Sequence, residues 1–308
     1  MRLRLGGVAG RESLQNTYKP CRNRAVQCDY TERRGIGMAY SNLVLRAVNA
    51  TVAAIDTHYP VKSAGRLLTT TNPKVAKGAA DMGYLPAVLH LAPATMSGAN
   101  VCPWASTECT AGCLNTSGRG GISLDASGWN AIQASRIRRT AAMILNPDAF
   151  SARLRHEITL HARNARRHGL TPALRLNGTS DIVWHRKFPE VIAHAIAEGC
   201  VLYDYTKRPT PDAAEHGIDV TYSYPGGDGV AARRYLDAGY RVAVVFATRK
   251  GAPLPATWTA PWGDTYAVVD GDAHDLRFTD PGGVIVGLRA KGRMRGQEGT
   301  RHGFLQQP

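Results

Sequence analysis

The strongest constraint on the fold is a regular alternation of short apolar segments and capped amphipathic segments over residues 170–290. The segments TPALRL, VLYDY, DVTYSY, YRVAVVF, TYAVVDG and GVIVGL have the length and apolar character of buried strands. Between them, FPEVIAHAIAEG and GVAARRYLDAG have helical character and end at a glycine. Strands alternating with helices predict a mainly parallel sheet, because each helix returns the chain to the same end of the sheet.

The number of strand–helix units predicts an α/β fold of the full or partial (β/α) barrel type. An open doubly wound α/β sheet is the alternative, because it uses the same units in a different strand order. We find no internal repeat, no Walker motif and no dinucleotide-binding glycine fingerprint.

Residues 1–37 differ from the rest of the chain. They hold eight Lys/Arg and three Asp/Glu and show little hydrophobic periodicity. We therefore expect a basic, weakly ordered extension, or residues upstream of a true start at Met38. Residues 38–308 are predicted to form a single α/β domain.

The charge and hydropathy indicate a cytoplasmic protein that does not enter membranes. A net charge of +14 attracts polyanions, so nucleic acid is an expected partner. The chain has no run of about 18 apolar residues that would form a membrane span. In the cytoplasm thiols stay reduced, which favours metal binding or catalysis over disulfides for clustered cysteines. The oligomeric state is left open.

Three cysteines within twelve residues, Cys102, Cys109 and Cys113, form the most distinctive motif. A structural zinc site normally needs four ligands, often as Cys-x2-Cys pairs, which do not occur here. A 4Fe–4S cluster held by three thiolates would leave one iron open for a small ligand such as S-adenosylmethionine. The spacing is Cys-x6-Cys-x3-Cys, whereas radical S-adenosylmethionine enzymes use Cys-x3-Cys-x2-Cys. An iron–sulfur cluster, zinc, and free or disulfide-bonded thiols therefore all remain open.

Polar residues follow most of the predicted strands, where the active sites of parallel α/β folds lie. One set offers cofactor-binding groups: Asn115, Arg119, Asn177, Gly178, Thr179, Ser180 and Asp181. A second set would face the substrate as catalytic residues: Tyr205, Lys207, Asp270, Asp272, Asp275 and Lys291. Turns and helix caps use many of the same residue types, so each segment alone is also explained as a turn. Their shared position after strands is what indicates a site.

Four segments together resemble the phage "gene product 88" family. They are LHLAPATMSGANVCPWASTECTAGCLNTSGRGG, ARNARRHGLTPALRLNGTSDIVW, VLYDYTKRP and VVDGDAHDLRFTDPGGVIVGLRAKG. The resemblance runs from about Thr70 to Gly292, and its motifs keep the same order. It implies a phage or prophage protein acting in the bacterial host cytoplasm, and it supplies no mechanism.

These observations lead to three functional hypotheses. The first is an iron–sulfur enzyme, radical S-adenosylmethionine-like, acting on a nucleotide or nucleic acid. The second is a zinc-stabilised nucleic-acid-binding protein without catalysis. The third is a metal-dependent nuclease that uses the Asp-rich segment.

Overall fold

A computed structural model gives the fold of the part of the chain that it describes. That part comprises residues 40–60, 65–70, 78–116, 118–122, 128–291, 294 and 303–308. All of these belong to one unit, residues 36–308. The prediction for residues 1–37, including the start at Met38, lies outside the described residues.

Seven α-helices are described. They are α1 (Asn42–His58), α2 (Thr107–Ala111), α3 (Ala131–Leu145), α4 (Pro147–Arg167), α5 (Trp184–Lys187), α6 (Pro189–Ala197) and α7 (Val230–Asp237). Local sequence explains their limits. The Asn130 side chain accepts from the first free amides of α3, and Pro147 occupies the first turn of α4, where a missing N–H costs nothing. None of these helices is long and apolar enough to cross a membrane.

Ten strands form one mixed, mostly parallel sheet. They are β1 (Leu68–Thr69), β2 (Tyr84–Leu89), β3 (Thr171–Arg175), β4 (Val201–Thr206), β5 (Ile218–Ser223), β6 (Arg241–Phe246), β7 (Thr257–Thr259), β8 (Thr265–Asp270), β9 (Ile285–Arg289) and β10 (Leu305–Gln306). The order is β1-β2-β3-β4-β5-β6-β9-β8-β7, and β10 pairs with the end of β6. Only β1 and β7 are antiparallel to their neighbours.

The predicted α/β class with a mainly parallel sheet is confirmed. Strands β2 to β6 follow one another in chain order across the sheet, without the reversal that defines a doubly wound sheet. Within the described residues, the path of paired strands begins at β1 and ends at β7, and these two do not pair with each other.

One face of the sheet carries the helices. Ala87, Leu174, Leu202 and Ile218 lie in register on adjacent strands and belong to one apolar core cluster. The same cluster contains buried side chains of α1, α3, α4, α6 and α7. Several helices therefore pack on a single side of the parallel strands, which is what an ascending strand order produces when every crossover has the same hand.

The opposite face is covered by the segment between β8 and β9. Leu276 and Phe278 of this segment pack with Ala173 and Tyr203 of the sheet. The segment between β8 and β9 also places a charged side chain against the sheet. Asp275 Oδ2 lies 2.7 Å from Arg175 Nη1. The Arg175 side chain is only 12% exposed and the Asp275 side chain only 4%. A buried ion pair thus joins the covering segment to the end of β3.

Replacing Asp275 with Asn should destabilise the fold by about 3–5 kcal/mol, because it leaves the Arg175 guanidinium buried without its counter-ion. Urea unfolding measures the change. The matched control is Asp56→Asn, which breaks the pair of Arg138 with a carboxylate that is 51% exposed and should cost less than about 1 kcal/mol. Equal losses in the two variants would show that the buried pair has no special role.

Candidate functional site

The cysteine loop follows β2 and lies over the carboxyl ends of the neighbouring strands. The Ala94 amide donates to Cys102 Sγ at 3.3 Å, and the thiol lies 3.9 Å from the Thr179 carbonyl oxygen. The Asp181 amide donates to the Val101 carbonyl at 2.9 Å. These contacts fix the start of the cysteine loop to the loop that follows β3.

The three thiols converge on one lysine. Lys207 lies within electrostatic reach of Cys102, Cys109 and Cys113, and it donates from Nζ to Ser223 Oγ at 2.7 Å. All three cysteines are half-buried. Burial raises the pKa of each thiol, to about 12 for Cys102, and burial lowers the pKa of the Lys207 ammonium. Without a metal, the thiols are therefore protonated at neutral pH.

The far end of the cysteine loop reaches the opposite part of the sheet. Cys109 packs against a small apolar cluster of Ala290, Phe304 and Leu305, which follow β9 or belong to β10. A methyl group at Gly112 would lie 2.5 Å from Met294 Sδ, so the loop and the Met294 side chain are in close contact. The loop that begins after β2 thus contacts residues beyond β9, across the carboxyl edge of the sheet.

A second cation approaches the thiols from α3. Arg136 is half-buried, influences the Cys113 thiol electrostatically, and donates to Asn115 Oδ1. Asn115 is buried, and its own backbone amide donates to the Cys113 thiol. The Cys113 thiol therefore lies within electrostatic reach of both the Lys207 ammonium and the Arg136 guanidinium. The prediction for Arg119 lies outside the described side chains.

The loop after β3 is tied together by the Asn177 side chain. Its Oδ1 accepts from Ser180 Oγ, the Ile182 amide and Trp184 Nε1, and its Nδ2 donates to the Ile182 carbonyl and to Asp204 Oδ2. All the capacity of the amide is thus committed to protein partners. The prediction that Asn177 and Ser180 bind a cofactor is untested, and the geometry gives both residues a structural role.

The other members of that loop also contact protein. A methyl group at Gly178 would lie 2.5 Å from His90 Nδ1. The Thr179 hydroxyl donates to the Leu91 carbonyl. Asp181 accepts from Thr206 Oγ1 at 2.8 Å and from the Lys207 amide at 2.9 Å. Asp181 therefore positions Lys207, and it also lies within electrostatic reach of the thiols.

The remaining residues predicted as catalytic lie in two other places. Tyr205 points to the covered face of the sheet, where its ring lies 5.4 Å from the Arg175 guanidinium, and Asp275 is buried there too. Asp270 and Asp272 pair with Arg289 at 2.9 and 3.2 Å, and Lys291 pairs with Asp272. Of the six predicted catalytic residues, the structure shows only Lys207 beside the cysteines.

A cleft adjoins the cysteine loop on the helix side of β4 and β5. Its wall includes Trp104, which lies between Cys102 and Cys109 in the sequence, and Arg208, whose guanidinium lies 5.6 Å from the centre of the indole ring. Asp181 and Asp204 form part of its floor. The cation over the indole ring helps to hold the cysteine loop against the end of β4.

The thiols are not arranged as the ligands of a single ion. Among the described residues, no group of three or more His, Cys, Asp or Glu side chains is placed to hold one metal ion. Tetrahedral zinc with Zn–S bonds of about 2.3 Å requires its sulfur ligands within about 4 Å of one another. The other cysteines of the chain are Cys200, which lies in the apolar core, and Cys21 and Cys28, which lie outside the described residues.

Sequence reasoning missed three residues of the site. Arg136 belongs to RIRRT, which also suits a solvated helix face, and only packing shows that this arginine points inward. Ser223 is the last residue of β5, and its role becomes visible only when Lys207 is placed beside it. Asp204 sits within the apolar pattern of β4. A carboxylate inside a strand of buried residues was the signal that could have identified it.

Asp204 should make folding stability depend on pH. Burial raises the pKa of its carboxyl to about 8. Hydrogen bonds from the Tyr205 backbone amide and the Asn177 side chain act in the opposite direction and lower this pKa, but their effect is smaller. Because the folded-state pKa lies above the unfolded value, Asp204 favours folding at low pH, and this contribution is lost as pH rises from about 4 to about 8. Asp204→Asn should flatten that dependence by up to about 1.4 kcal/mol per pH unit in urea unfolding. An unchanged slope would contradict a raised pKa.

Comparison with known proteins gives one match. The model of the family described as Gene product 88 matches residues 63–306, which include the cysteine loop and all ten described strands. No curated protein and no solved structure matches the chain significantly. The family match covers most of the chain and agrees with the resemblance carried by its motifs. The chain belongs to the Gene product 88 family.

Proposed function

We propose that the three cysteines hold a 4Fe–4S cluster and that the protein is an iron–sulfur enzyme acting on a nucleotide or nucleic acid. The observation that carries the proposal is that three cysteine thiols lie within electrostatic reach of Lys207 at the carboxyl edge of a parallel sheet. Enzymes of this architecture place their chemistry at that edge. Three thiolates leave one iron for a small molecule, and S-adenosylmethionine is the proposed one.

The surroundings of the thiols suit a negatively charged group. Lys207 and Arg136 both influence the Cys113 thiol, and burial makes an uncompensated charge there costly. Burial keeps the thiols protonated and therefore uncharged when no metal is bound. Uncharged thiols would not require two buried cations beside them. Three thiolates around iron carry net negative charge, which the two side chains would offset. This fit rests on the residues present and on their chemistry.

The number of thiols is the reason to propose a cluster instead of a single zinc ion. A structural zinc site normally needs four protein ligands, whereas three thiolates can hold three irons of a 4Fe–4S cluster and leave the fourth open. Zinc in place of iron remains an outcome that the metal analysis below can reveal.

The proposed enzyme would use a partial (β/α) barrel. Strands β2 to β6 ascend in chain order, and Cys109 contacts residues that follow β9, on the other side of the carboxyl edge. A strongly curved sheet would bring these ends together. The barrel rim would then carry the cysteine loop, Lys207 and the Trp104 cleft on connected surfaces.

The carboxylates give less support to a metal-dependent nuclease. Asp270 and Asp272 are paired with Arg289, and Asp275 is paired with Arg175 inside the protein. A two-metal site needs carboxylates that are free to bind the ions. Magnesium-dependent cleavage that survives replacement of all three cysteines would nevertheless favour this alternative.

Anaerobic purification followed by iron and sulfide analysis tests the proposal. The wild-type protein should contain on the order of four iron atoms per chain after reconstitution, with the brown absorption of a cluster. Cys109→Ala should lose most of this iron, because a three-ligand cluster cannot spare a thiolate. Addition of S-adenosylmethionine should change the electron paramagnetic resonance spectrum of the reduced protein.

The matched control is Cys200→Ala, which removes a cysteine buried in the apolar core, away from the loop. It should keep the full iron content. A second control, Cys21→Ala with Cys28→Ala, tests whether the amino-terminal cysteines supply ligands. Colourless wild-type protein without iron, or one equivalent of zinc, would overturn the cluster.

A further inference from the structure

The outer face of α4 is a basic surface that the cysteine site does not use. The inner side of this helix packs into the core through Phe150, Leu154 and Ile158. The outer side exposes, from one turn to the next, His156, Leu160, Arg163 and Arg167, and we call these four residues the α4 outer face. Leu160 is 49% exposed.

The two arginines of the α4 outer face have no ion-pair partner among the described residues. Nearby arginines are committed elsewhere: Arg153 pairs with Glu157, and Arg166 pairs with Glu198 on the α6 side. The acidic Glu157 does not reach the outer face, because its carboxylate accepts from the Leu67 and Leu68 amides. The face is therefore positive without local compensation.

Helix-dipole effects explain only part of this pattern. Cations in the last turn of a helix are favourable, which accounts for Arg167. Arg163 lies one turn earlier, and the dipole effect falls off within the last turn. His156 lies further away still. A stripe from His156 to Arg167 spans about 16 Å of helix at 1.5 Å per residue.

We propose that the α4 outer face binds the phosphate backbone of a nucleic acid without reading its sequence. Along one strand phosphates recur about every 3.4 Å of duplex axis, so the stripe can face several of them. The guanidinium group suits phosphate oxygens, because its donors form a planar fork. The choice of nucleic acid as partner class follows the proposed function, whereas the surface itself is independent of the cysteines.

The test measures binding of fluorescein-labelled oligonucleotides, single-stranded and duplex, by fluorescence anisotropy over a range of salt concentrations. The double variant Arg163→Glu/Arg167→Glu should bind at least about tenfold more weakly than the wild type at low salt. The slope of log affinity against log salt should fall by about two, because two phosphate contacts are lost. The loss should be similar for oligonucleotides of different sequence.

The matched control is Arg249→Glu/Lys250→Glu, which changes the net charge equally at an exposed loop after β6. It should retain nearly wild-type affinity. Equal losses in the two double variants would overturn the proposal, because net charge alone would then explain the binding. Wild-type affinity in the α4 variant would also overturn it and would assign binding to other basic residues.

Two further measurements separate this proposal from the proposed function. Circular dichroism and urea unfolding confirm that the α4 variant is folded, and its reconstituted iron content should equal that of the wild type. If the α4 variant lost its iron but still bound oligonucleotides, the proposal for the α4 outer face would be contradicted. Binding to anionic phospholipid vesicles, with no binding to oligonucleotides, would identify a lipid surface as the partner and would overturn the nucleic-acid assignment.

Discussion

The arrangement of the site depends on one buried side chain, the amide of Asn177. Its five hydrogen bonds close the loop after β3 and join that loop to Asp204 in β4. This closure places Asp181 where it accepts from Thr206 and from the Lys207 amide. The position of Lys207 beside the three thiols therefore follows from a loop whose side chains Asn177, Ser180 and Asp181 are buried.

The cysteine loop is held at both ends by different physical means. Near Cys102 it is fixed by backbone hydrogen bonds to the loop after β3, and Trp104 packs against the Arg208 guanidinium. Near Cys109 and Gly112 it is held by apolar contacts with Ala290 and Met294, which follow β9, and with Leu305 in β10. A loop attached on two sides of a parallel sheet can present three thiols in a fixed relation to each other, which is what a multi-iron ligand set demands.

The charged side chains discussed above lie in three different surroundings. Arg175 and Asp275 join the segment after β8 to the sheet, and Arg277 pairs with Asp280 within that segment. Lys207 and Arg136 lie within electrostatic reach of the Cys113 thiol, and the arginines of the α4 outer face have no ion-pair partner among the residues that the structure describes. The net charge of +14 includes residues 1–39, which hold eight Lys/Arg and three Asp/Glu. Total charge is therefore a weaker guide to binding than the positions of unpaired arginines on α4.

The sequence by itself determined the class of the fold, the order of its elements and the family. Apolar strands alternating with capped helices require a mainly parallel sheet, and the cysteine motif marks the loop after β2 because its spacing is visible in one dimension. Only the tertiary structure decided which polar residues meet. Asp270, Asp272 and Asp275 follow strands as Lys207 does, yet they pair with Arg289 and Arg175 because the covering segment folds onto the sheet. Side-chain pairing depends on register and curvature, which local sequence does not encode, and so Arg136, Ser223 and Asp204 joined the site only through long-range packing.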